Sequence, residues 1–553
     1  MISNTRYWFL MFLVAVVYIA GMFSTLFEND SAQFAVMAMR MVQENDFINL
    51  FKGTNEYLDK PHMHYWLAAL SFKIFGLHDW AYRIPAILAT FLGAYSCFGL
   101  GKLLYNKDVG KIASLIFLTA QTIVLSVIDV RTDAVLTGFT IFGLWHLTAY
   151  INKNSLKHII LGAFGAGIAF STKGQIALVV LGLPILCHLA YTRKWNRFFN
   201  WRVIIAILVF IVTIAPILYA YYLQFDLHPE KVIRGRDGRS GIIFILWEQS
   251  FERMSGEGVG KNSSDYFFFF HTFLWVFLPW TIIGLAAFYM RCKTFIKLKF
   301  TYNSKYEFLT LGGIALIFIV ISFAQFKLPH YLNIVIPLFA ILTASYLYSL
   351  YTFEKKKIIK FILGVQYFIL GVVFIAITLF CFYVFKFEST ISYFLFAVAG
   401  FIAIYFTLKQ ESYSVRIITI AVSASLLLNS VMNFHFYPNL LKYQAGSSMA
   451  KIVSDNNIPV DNIYKISEEH TWALDFYNQK PVKIISVNNL KERSDLWVYV
   501  SEEELISLNH SGFDWDKQYT VDDFRITRLQ AKFLNPTTRK KTLHKKHLIH
   551  IFK

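Results

Sequence analysis

Cysteine is scarce in this chain, with four residues among 553, and no two of them form a Cys-x-x-Cys pair. Cys97, Cys187, Cys292 and Cys381 fall within or at the ends of apolar stretches, with no histidine cluster beside them. Isolated thiols of this kind lack the spacing of a disulfide framework or of a zinc site. We therefore expect neither a disulfide nor a thiolate metal site.

Charged residues are also scarce, at 16% of the chain, whereas 56% of the residues are hydrophobic. This composition excludes a string of soluble domains, in which about 25% of residues are charged. A helix needs roughly 20 apolar residues to cross about 30 Å of hydrocarbon, and such stretches recur from Tyr7 to Asn433. Residues 7–27 lack the cleavage pattern of a signal peptide, so we count them as the first span. The sequence predicts a polytopic α-helical membrane protein.

Acidic residues are the least abundant charged group, with 35 Asp and Glu against 53 Lys and Arg and a net charge of +18. A basic excess is compatible with nucleic-acid binding. Here, however, the Lys and Arg residues lie largely in short loops between apolar stretches, where orientation in the bilayer explains them better. We therefore expect membrane lipids as partners and no nucleic acid.

The apolar stretches predict thirteen spanning helices, plus or minus one. They cover residues 7–27, 81–104, 112–128, 134–151, 158–171, 174–192, 201–224, 267–290, 307–326, 329–351, 358–385, 391–408 and 416–434. Every second loop is basic, and the other short loops carry about one basic residue each. Because basic loops stay in the cytoplasm, this alternation predicts a multi-pass inner-membrane protein with a cytoplasmic N-terminus.

Three predicted outward segments are longer than a turn: residues 28–80, 225–266 and 435–553. The first contains helical patterns at residues 31–42 and 65–75 that suit helices at the membrane surface, and the second is Gly-rich and should be mobile. The third alternates strand-like with helical runs. We therefore divide the chain into a transmembrane domain, residues 1–434, and a small soluble periplasmic α/β domain, residues 435–553. Its basic stretch, residues 539–546, either touches anionic headgroups or is a solvated tail.

Ionisable and aromatic residues collect at the predicted outer ends of the helices. They are Asp30, residues 57–66 (Tyr-Leu-Asp-Lys-Pro-His-Met-His-Tyr-Trp), 129–133 (Asp-Val-Arg-Thr-Asp), 171–174 (Ser-Thr-Lys-Gly), 247–253 (Trp-Glu-Gln-Ser-Phe-Glu-Arg) and 327–331 (Lys-Leu-Pro-His-Tyr). Each alone is compatible with a solvated boundary residue, a snorkelling lysine or a local ion pair. His62 and His64 are also a candidate metal pair, but no third ligand is evident. Together the residues indicate a functional site, because burying ionisable groups in a membrane is costly without a purpose or partner.

The order of these motifs resembles the protein O-mannosyltransferase and lipid A aminoarabinose transferase superfamily. The resemblance spans roughly residues 7–351, and its motifs are Asp30, residues 57–61, 129–133, 172–174, 277–280 and 327–337. It implies a GT-C fold with about thirteen spans and an outward C-terminal domain. It also implies a glycosyltransferase that takes a sugar from a polyprenyl (undecaprenyl) phosphate carrier at the periplasmic face.

The resemblance also implies roles for individual residues. Asp30 matches an essential first-loop aspartate, Lys60 a lysine that contacts the carrier phosphate, and Asp59 the acidic neighbour of that lysine. Arg253 matches a phosphate-binding arginine, and Tyr331 a tyrosine near the donor. The chain departs from the family where it reads Asp-Ser-Ala-Gln-Phe from Asp30 instead of Asp-Glu-x-x-Tyr. This departure leaves the acceptor type and part of the phosphate site open.

Elementary chemistry agrees with these roles. A departing polyprenyl phosphate gains negative charge, which fixed cations stabilise, and a carboxylate accepts a proton from an acceptor hydroxyl or orients the acceptor. We expect Asp30 and, second, Asp133 to be the catalytic carboxylates. The candidate substrate-binding residues are Tyr57, Asp59, Lys60, Arg131, Lys173, Arg253, Lys327 and Tyr331. This scheme requires neither a metal nor a cofactor.

Two other functions use similar residues. A transporter or flippase of lipid-linked saccharides also needs intramembrane charge, although transporters tend to place it at the bilayer midplane and to contain internal repeats. A surface-polysaccharide polymerase or ligase would share the carrier and the compartment. We favour the transferase because the charges cluster at one rim. The sequence leaves the sugar open, and also the acceptor, which is a lipid A-type molecule, another glycan or a protein.

Overall fold

The computed structural model describes residues 2–255, 262–387, 400 and 412–552, and most of them are helical. In the first part of the chain the α-helices are α1 (Asn4–Gly21), α2 (Asp30–Glu44), α3 (Met63–Phe75), α4 (Asp79–Leu104), α5 (Lys107–Thr119), α6 (Gln121–Ile128), α7 (Asp133–Lys153), α8 (Leu156–Lys173), α9 (Ile176–Thr192), α10 (Arg202–Tyr221), α11 (Gly241–Ile243) and α12 (Gln249–Ser255). They continue with α13 (Phe268–Val276), α14 (Thr281–Lys297), α15 (Leu309–Ser322), α16 (Ile336–Thr352), α17 (Lys356–Leu379) and α18 (Tyr413–Val431). A 3₁₀ helix, Pro329–Val335, leads into α16.

Seven helices in the described residues are long and apolar enough to cross a membrane, and the bent pair α5 and α6 allows an eighth. Helices α9 and α15 are apolar but shorter. The chain is a multi-pass membrane protein, while the count of thirteen spans stays a prediction. One predicted span, residues 391–408, lies outside the described residues except for residue 400.

Two predicted spans are each broken into two helices, which the apolar pattern alone did not reveal. Residues 112–128 form α5 and α6 with a bend of 53°, and residues 267–290 form α13 and α14 around Pro279, which has no N–H for a helix. The two breaks are joined by hydrogen bonds. The backbone N–H of Gln121 donates to the carbonyl of Leu278 at 3.1 Å, and the Trp280 indole donates to Thr119 at 2.9 Å.

The two helices predicted in the first outward segment are present as α2 and α3. Helix α2 is buried over most of its length rather than lying free at a surface. It packs on α3 on one side and on the C-terminal helix Trp472–Tyr477 on the other. Asp30, the first residue of α2, therefore lies between the membrane helices and the C-terminal part of the chain.

The C-terminal residues form a five-stranded mixed sheet with short helices. Two short hairpins precede this sheet in the chain. In the first, β1 (Phe51–Lys52) pairs with β2 (Asn55–Glu56), and in the second, β3 (Val232–Ile233) pairs with β4 (Arg236–Asp237). Its strands are β5 (Ile463–Lys465), β6 (Lys483–Ile484), β7 (Leu496–Ser501), β8 (Lys517–Asp523) and β9 (His544–Ile551), in the order β6-β5-β7-β9-β8. The helices are α19 (Tyr437–Leu440), α20 (Ala445–Asp455), α21 (Trp472–Tyr477), α22 (Val487–Glu492), α23 (Glu502–His510), α24 (Ala531–Leu534) and α25 (Pro536–Arg539). The strand-like runs predicted from the sequence, residues 462–466, 482–487 and 496–500, contain β5, β6 and most of β7.

The basic stretch at residues 539–546 is not a solvated tail. Arg539 donates to the carbonyl of Val384 at 2.7 Å and lies over the ring of Phe385, at the end of the span that contains α17. Lys546 is buried in β9 and forms an ion pair with Glu469. The stretch runs into strand β9, which pairs on both sides, with β7 and with β8, and its basic composition gave no sign of a strand.

Candidate functional site

Asp30 meets the loop between α6 and α7 through an arginine. Arg131 Nη1 lies 3.0 Å from the Asp30 carboxylate, and its Nη2 lies 2.8 Å from that of Asp129. Burial lowers the pKa of Arg131, but the Asp129 and Asp30 carboxylates outweigh it and hold that pKa above its ordinary value. The guanidinium is therefore a permanent charge. The Asp30 side chain is still 42% exposed and keeps one face open.

Asp133, the first residue of α7, is the buried acid of this group. Its side chain is 3% exposed and lies 2.7 Å from Lys173 Nζ. Lys173 is the last residue of α8, so the start of α7 and the end of α8 place the pair. The Lys173 ammonium also lies 4.8 Å from the centre of the Tyr331 ring. The structure therefore brings Asp133, Lys173 and Tyr331 together, as predicted.

His330 joins these two pairs, and the sequence prediction missed it as a site residue. Its Nε2 lies 3.7 Å from the Asp133 carboxylate, and its Nδ1 lies 3.4 Å from Arg131 Nη1. The charges of Arg131, Lys173 and Lys60 all act on this ring. His330 stands in the motif Lys-Leu-Pro-His-Tyr, next to Tyr331, which was the available signal.

A second charged group surrounds Asp59. Its carboxylate lies 3.6 Å from Lys60 Nζ and 3.0 Å from Arg234 Nη2. Arg234 also pairs with Glu252 at 2.8 Å, and Glu252 in turn pairs with Arg239. The stretch around Arg234 was predicted to be mobile, but ion pairs and the β3–β4 hairpin hold it in place. Sequence reasoning missed Arg234 because a Gly-rich loop gives no sign of its tertiary partners.

Two of the predicted residues, Lys327 and Tyr57, make contacts outside these charged groups. Lys327 is buried and fastens a neighbouring loop, because its backbone N–H donates to Asn262 at 2.7 Å and its Nζ donates to the Ser263 carbonyl at 3.3 Å. Tyr57 packs edge-on against buried Tyr65 behind α2. The side chain of Arg253 lies outside the part of the chain that the structure describes.

The two histidines of the candidate metal pair have separate partners. His62 Nε2 lies 2.7 Å from the carbonyl of Ile48, and His64 Nε2 lies 3.0 Å from the Tyr82 hydroxyl. Burial lowers the pKa of each ring to about 4, so both are neutral near pH 7. Within the described ranges, no group of three or more His, Cys, Asp or Glu residues is arranged to hold a metal ion.

An apolar cavity of about 140 Å³ begins at the cationic group. Its lining contains the polar residues Lys173, Gln249 and Tyr331, and apolar residues that include Val179, from α9, and Ile321, from α15. A fixed cation at the mouth of an apolar groove suits a phosphate that carries a hydrocarbon chain.

The chain is similar to several known proteins. Residues 59–219 match the family described as dolichyl-phosphate-mannose-protein mannosyltransferase. The undecaprenyl phosphate-alpha-4-amino-4-deoxy-L-arabinose arabinosyl transferase of Edwardsiella ictaluri is 26% identical over 61% of this chain and 58% of its own length. The undecaprenyl phosphate-alpha-4-amino-4-deoxy-L-arabinose arabinosyl transferase 2 of Proteus mirabilis is 22% identical over 46% of this chain and 44% of its own length. The chain thus spans about half the length of these curated relatives.

A solved structure extends the likeness to almost the whole chain. ArnT from Cupriavidus metallidurans bound to undecaprenyl phosphate superposes with a TM-score of 0.74 and covers 99% of this chain and 98% of that one, at 16% identity. This likeness shows a shared fold. The resemblance that the motifs predicted is confirmed at the level of the superfamily.

Proposed function

We propose that this chain, which resembles the superfamily of protein O-mannosyltransferases and lipid A aminoarabinose transferases, is a membrane glycosyltransferase with a polyprenyl phosphate sugar donor. The observation that carries the proposal is one continuous group of side chains. In it, half-exposed Asp30 contacts Arg131, and Arg131 leads through His330 to Asp133 and Lys173, at the mouth of the apolar cavity.

The donor is bound with its phosphate near Lys173 and Lys60 and with the first part of its chain in the apolar cavity. As the bond from the sugar C1 to the phosphate oxygen breaks, the electron pair goes to that oxygen, and the phosphate gains one negative charge. Fixed cations in a water-poor site stabilise this charge more in the transition state than in the bound donor. Lys60, Arg131 and Lys173 therefore act on the leaving group.

The acceptor approaches from the open face of Asp30. If the acceptor is a hydroxyl, its O–H bond breaks as the new bond to C1 forms, and the proton goes to the Asp30 carboxylate. If the acceptor is an ionised phosphate, no proton moves, and Asp30 orients the attacking oxygen. Asp133 keeps Lys173 and His330 in place. Undecaprenyl phosphate is the carrier we propose, since the relatives' names contain it.

We place this site at the periplasmic face of the inner membrane, with thirteen spans, a cytoplasmic N-terminus and a periplasmic domain from residue 435. The contact of Arg539 with the end of the α17 span supports this arrangement. Reporter fusions test it. Cytoplasmic signals are expected after Lys153, Arg197, Lys299 and Lys356, and periplasmic signals after Ser263 and at Lys553. A cytoplasmic signal at Lys553 would overturn the orientation.

The function is tested with the purified full-length protein and a radiolabelled polyprenyl phosphate sugar, with and without envelope extract as the source of acceptor. A transferase releases polyprenyl phosphate and labels an acceptor. A flippase leaves the donor intact and moves it across the membrane of a vesicle, and a polymerase lengthens a glycan on the carrier. Either of the last two results would contradict the proposal.

A further inference from the structure

The linker 22–29 between α1 and α2 is held from the membrane side by one buried arginine. Arg83, on α4, is fully buried and donates to the carbonyls of Met22 at 3.0 Å and of Thr25 at 3.2 Å. Its Nε donates to the carbonyl of Ile128, the last residue of α6, at 3.0 Å. The start of the linker is thereby tied to the helix that precedes the Asp129–Arg131 loop.

The end of the linker is held by the C-terminal part of the chain. The buried carboxamide of Gln444 accepts from the backbone N–H of Glu28 at 2.7 Å and donates to the carbonyl of Leu26 at 2.9 Å. It bridges the linker backbone as a neighbouring β-strand would. The Tyr477 hydroxyl accepts from the N–H of Leu26 at 2.9 Å. The linker thus has ordered partners on both sides of Phe27.

The backbone conformation of Asn29 shows why the linker needs these hydrogen bonds. Its backbone has φ 70° and ψ −126°, in a region that favours glycine. A residue other than glycine stays in such a conformation only when its surroundings enforce it. The Asn29 side chain donates to the Thr527 hydroxyl at 3.0 Å, again in the C-terminal part. The next residue is Asp30, so this conformation sets the direction in which the carboxylate leaves the chain.

We propose that Gln444 is a positioning residue that keeps Asp30 against Arg131, and that the C-terminal domain thereby completes the transferase site. This inference rests on the proposed function. Gln444 has no part in donor binding, because its hydrogen bonds go to the linker and to Ser447. Its loss therefore lowers kcat and leaves the donor KM unchanged.

The test substitutes Gln444→Met, which keeps the length of the side chain and removes its hydrogen bonds. A displacement of the carboxylate by a fraction of an ångström should lower kcat about tenfold. The matched control is Gln530→Met, since Gln530 is exposed and makes no side-chain hydrogen bond among the described residues. A second variant, Thr527→Val, removes only the Asn29 contact and should lower kcat about threefold, while Thr527→Ser restores it.

An Asp30→Asn background separates this inference from the proposed function. There Gln444→Met should add no further loss in single-turnover rate, because it acts through the missing carboxylate. Unchanged kcat in both Gln444→Met and Thr527→Val, together with an impaired Asp30→Asn, would overturn the positioning role alone. If Gln444→Met did not fold, an unchanged kcat in Thr527→Val would by itself overturn the positioning role. Full activity of Asp30→Asn would instead remove the proposed chemistry.

Discussion

Glu28 and Asp30 are two residues apart, yet their carboxyl groups lie in opposite electrostatic surroundings. Asp30 and Asp133 have cations within 3.0 Å, so their charges are balanced by Arg131 and Lys173. Glu28 lines a cavity of about 360 Å³ against residues of the C-terminal part of the chain. Burial raises its pKa to about 8, despite hydrogen bonds from the backbone of Ala473.

The neighbours of Glu28 strengthen this contrast. Burial raises the pKa of Asp475 to about 6 and also raises that of Asp523, and both acids act on Glu28. The first region therefore pairs its acids with cations, whereas in the second region Glu28, with its raised pKa, keeps its proton near pH 7. Fixed charges suit a site that stabilises a leaving phosphate. The second region lies between the linker that precedes α2 and the C-terminal part of the chain.

The substitution Arg131→Met should have the largest effect on the charge balance of the first region, because it removes the cation between two carboxylates. It leaves Asp30 and Asp129 without their shared cation, so we expect turnover to fall about a hundredfold or more, since a charged hydrogen bond contributes roughly 1.5 to 3 kcal/mol and two are lost. The measurement is kcat with a polyprenyl phosphate donor. Arg528→Met, on an exposed arginine, is the control, and equal rates in the two variants would remove Arg131 from the site.

Lys60→Ala tests the lysine that pairs with Asp59. One charged contact to the phosphate is lost, so donor use, measured as kcat/KM, should fall about tenfold to a hundredfold. Lys451→Ala on the exposed face of α20 should leave it unchanged. Wild-type donor kinetics in Lys60→Ala would contradict the placement of the phosphate.

Lys327→Met separates a structural lysine from a binding one. Because Lys327 contacts Asn262 and Ser263 rather than the charged group, the variant should lose a few degrees of thermal stability and change donor KM by less than about threefold. Both quantities are measured on detergent-purified protein. A rise in donor KM equal to that of Lys60→Ala, with unchanged melting temperature, would return Lys327 to the substrate site.

The smallest effect is expected from Glu28→Gln. A carboxyl whose pKa is raised on folding binds its proton more tightly in the folded chain, so stability falls as pH rises from about 4.5 to about 8. The variant removes this titration, and its melting temperature should decline less between pH 5 and pH 8 than that of the wild type. Glu503→Gln, on an exposed residue of α23, should keep the wild-type slope. An unchanged slope in Glu28→Gln would contradict the protonated state.

Much of the fold follows from apolar runs, because a membrane span is a local property of about 20 residues. Predicted spans 81–104 and 134–151 lie within α4 and α7. The breaks at Ala120 and Pro279 did not follow, since each is stabilised by the other across the fold. Strand β9 was missed for a similar reason, because its pairing with β7 and β8 outweighs its basic composition.

Part of the site could also be predicted, because the motifs place Asp30, Arg131, Asp133 and Lys173 at helix ends on one face. Their pairing is set by tertiary geometry, which no spacing encodes. His330 and Arg234 were missed because their partners are far away in the sequence. The hydrogen bond from the backbone N–H of Glu28 to the Gln444 side chain joins residues more than 400 positions apart.

The central claim is that the carboxylate of Asp30 acts in sugar transfer, and the direct test is sugar release from a polyprenyl phosphate donor by purified Asp30→Asn. Asparagine keeps the size of aspartate but neither accepts a proton nor carries charge. We predict a stable, membrane-inserted protein whose turnover is lower by about 10² to 10⁴, and a smaller defect in Asp133→Asn. Near-normal turnover in Asp30→Asn with an inactive Asp133→Asn would transfer the central role to Asp133. Full activity in both variants would contradict the mechanism.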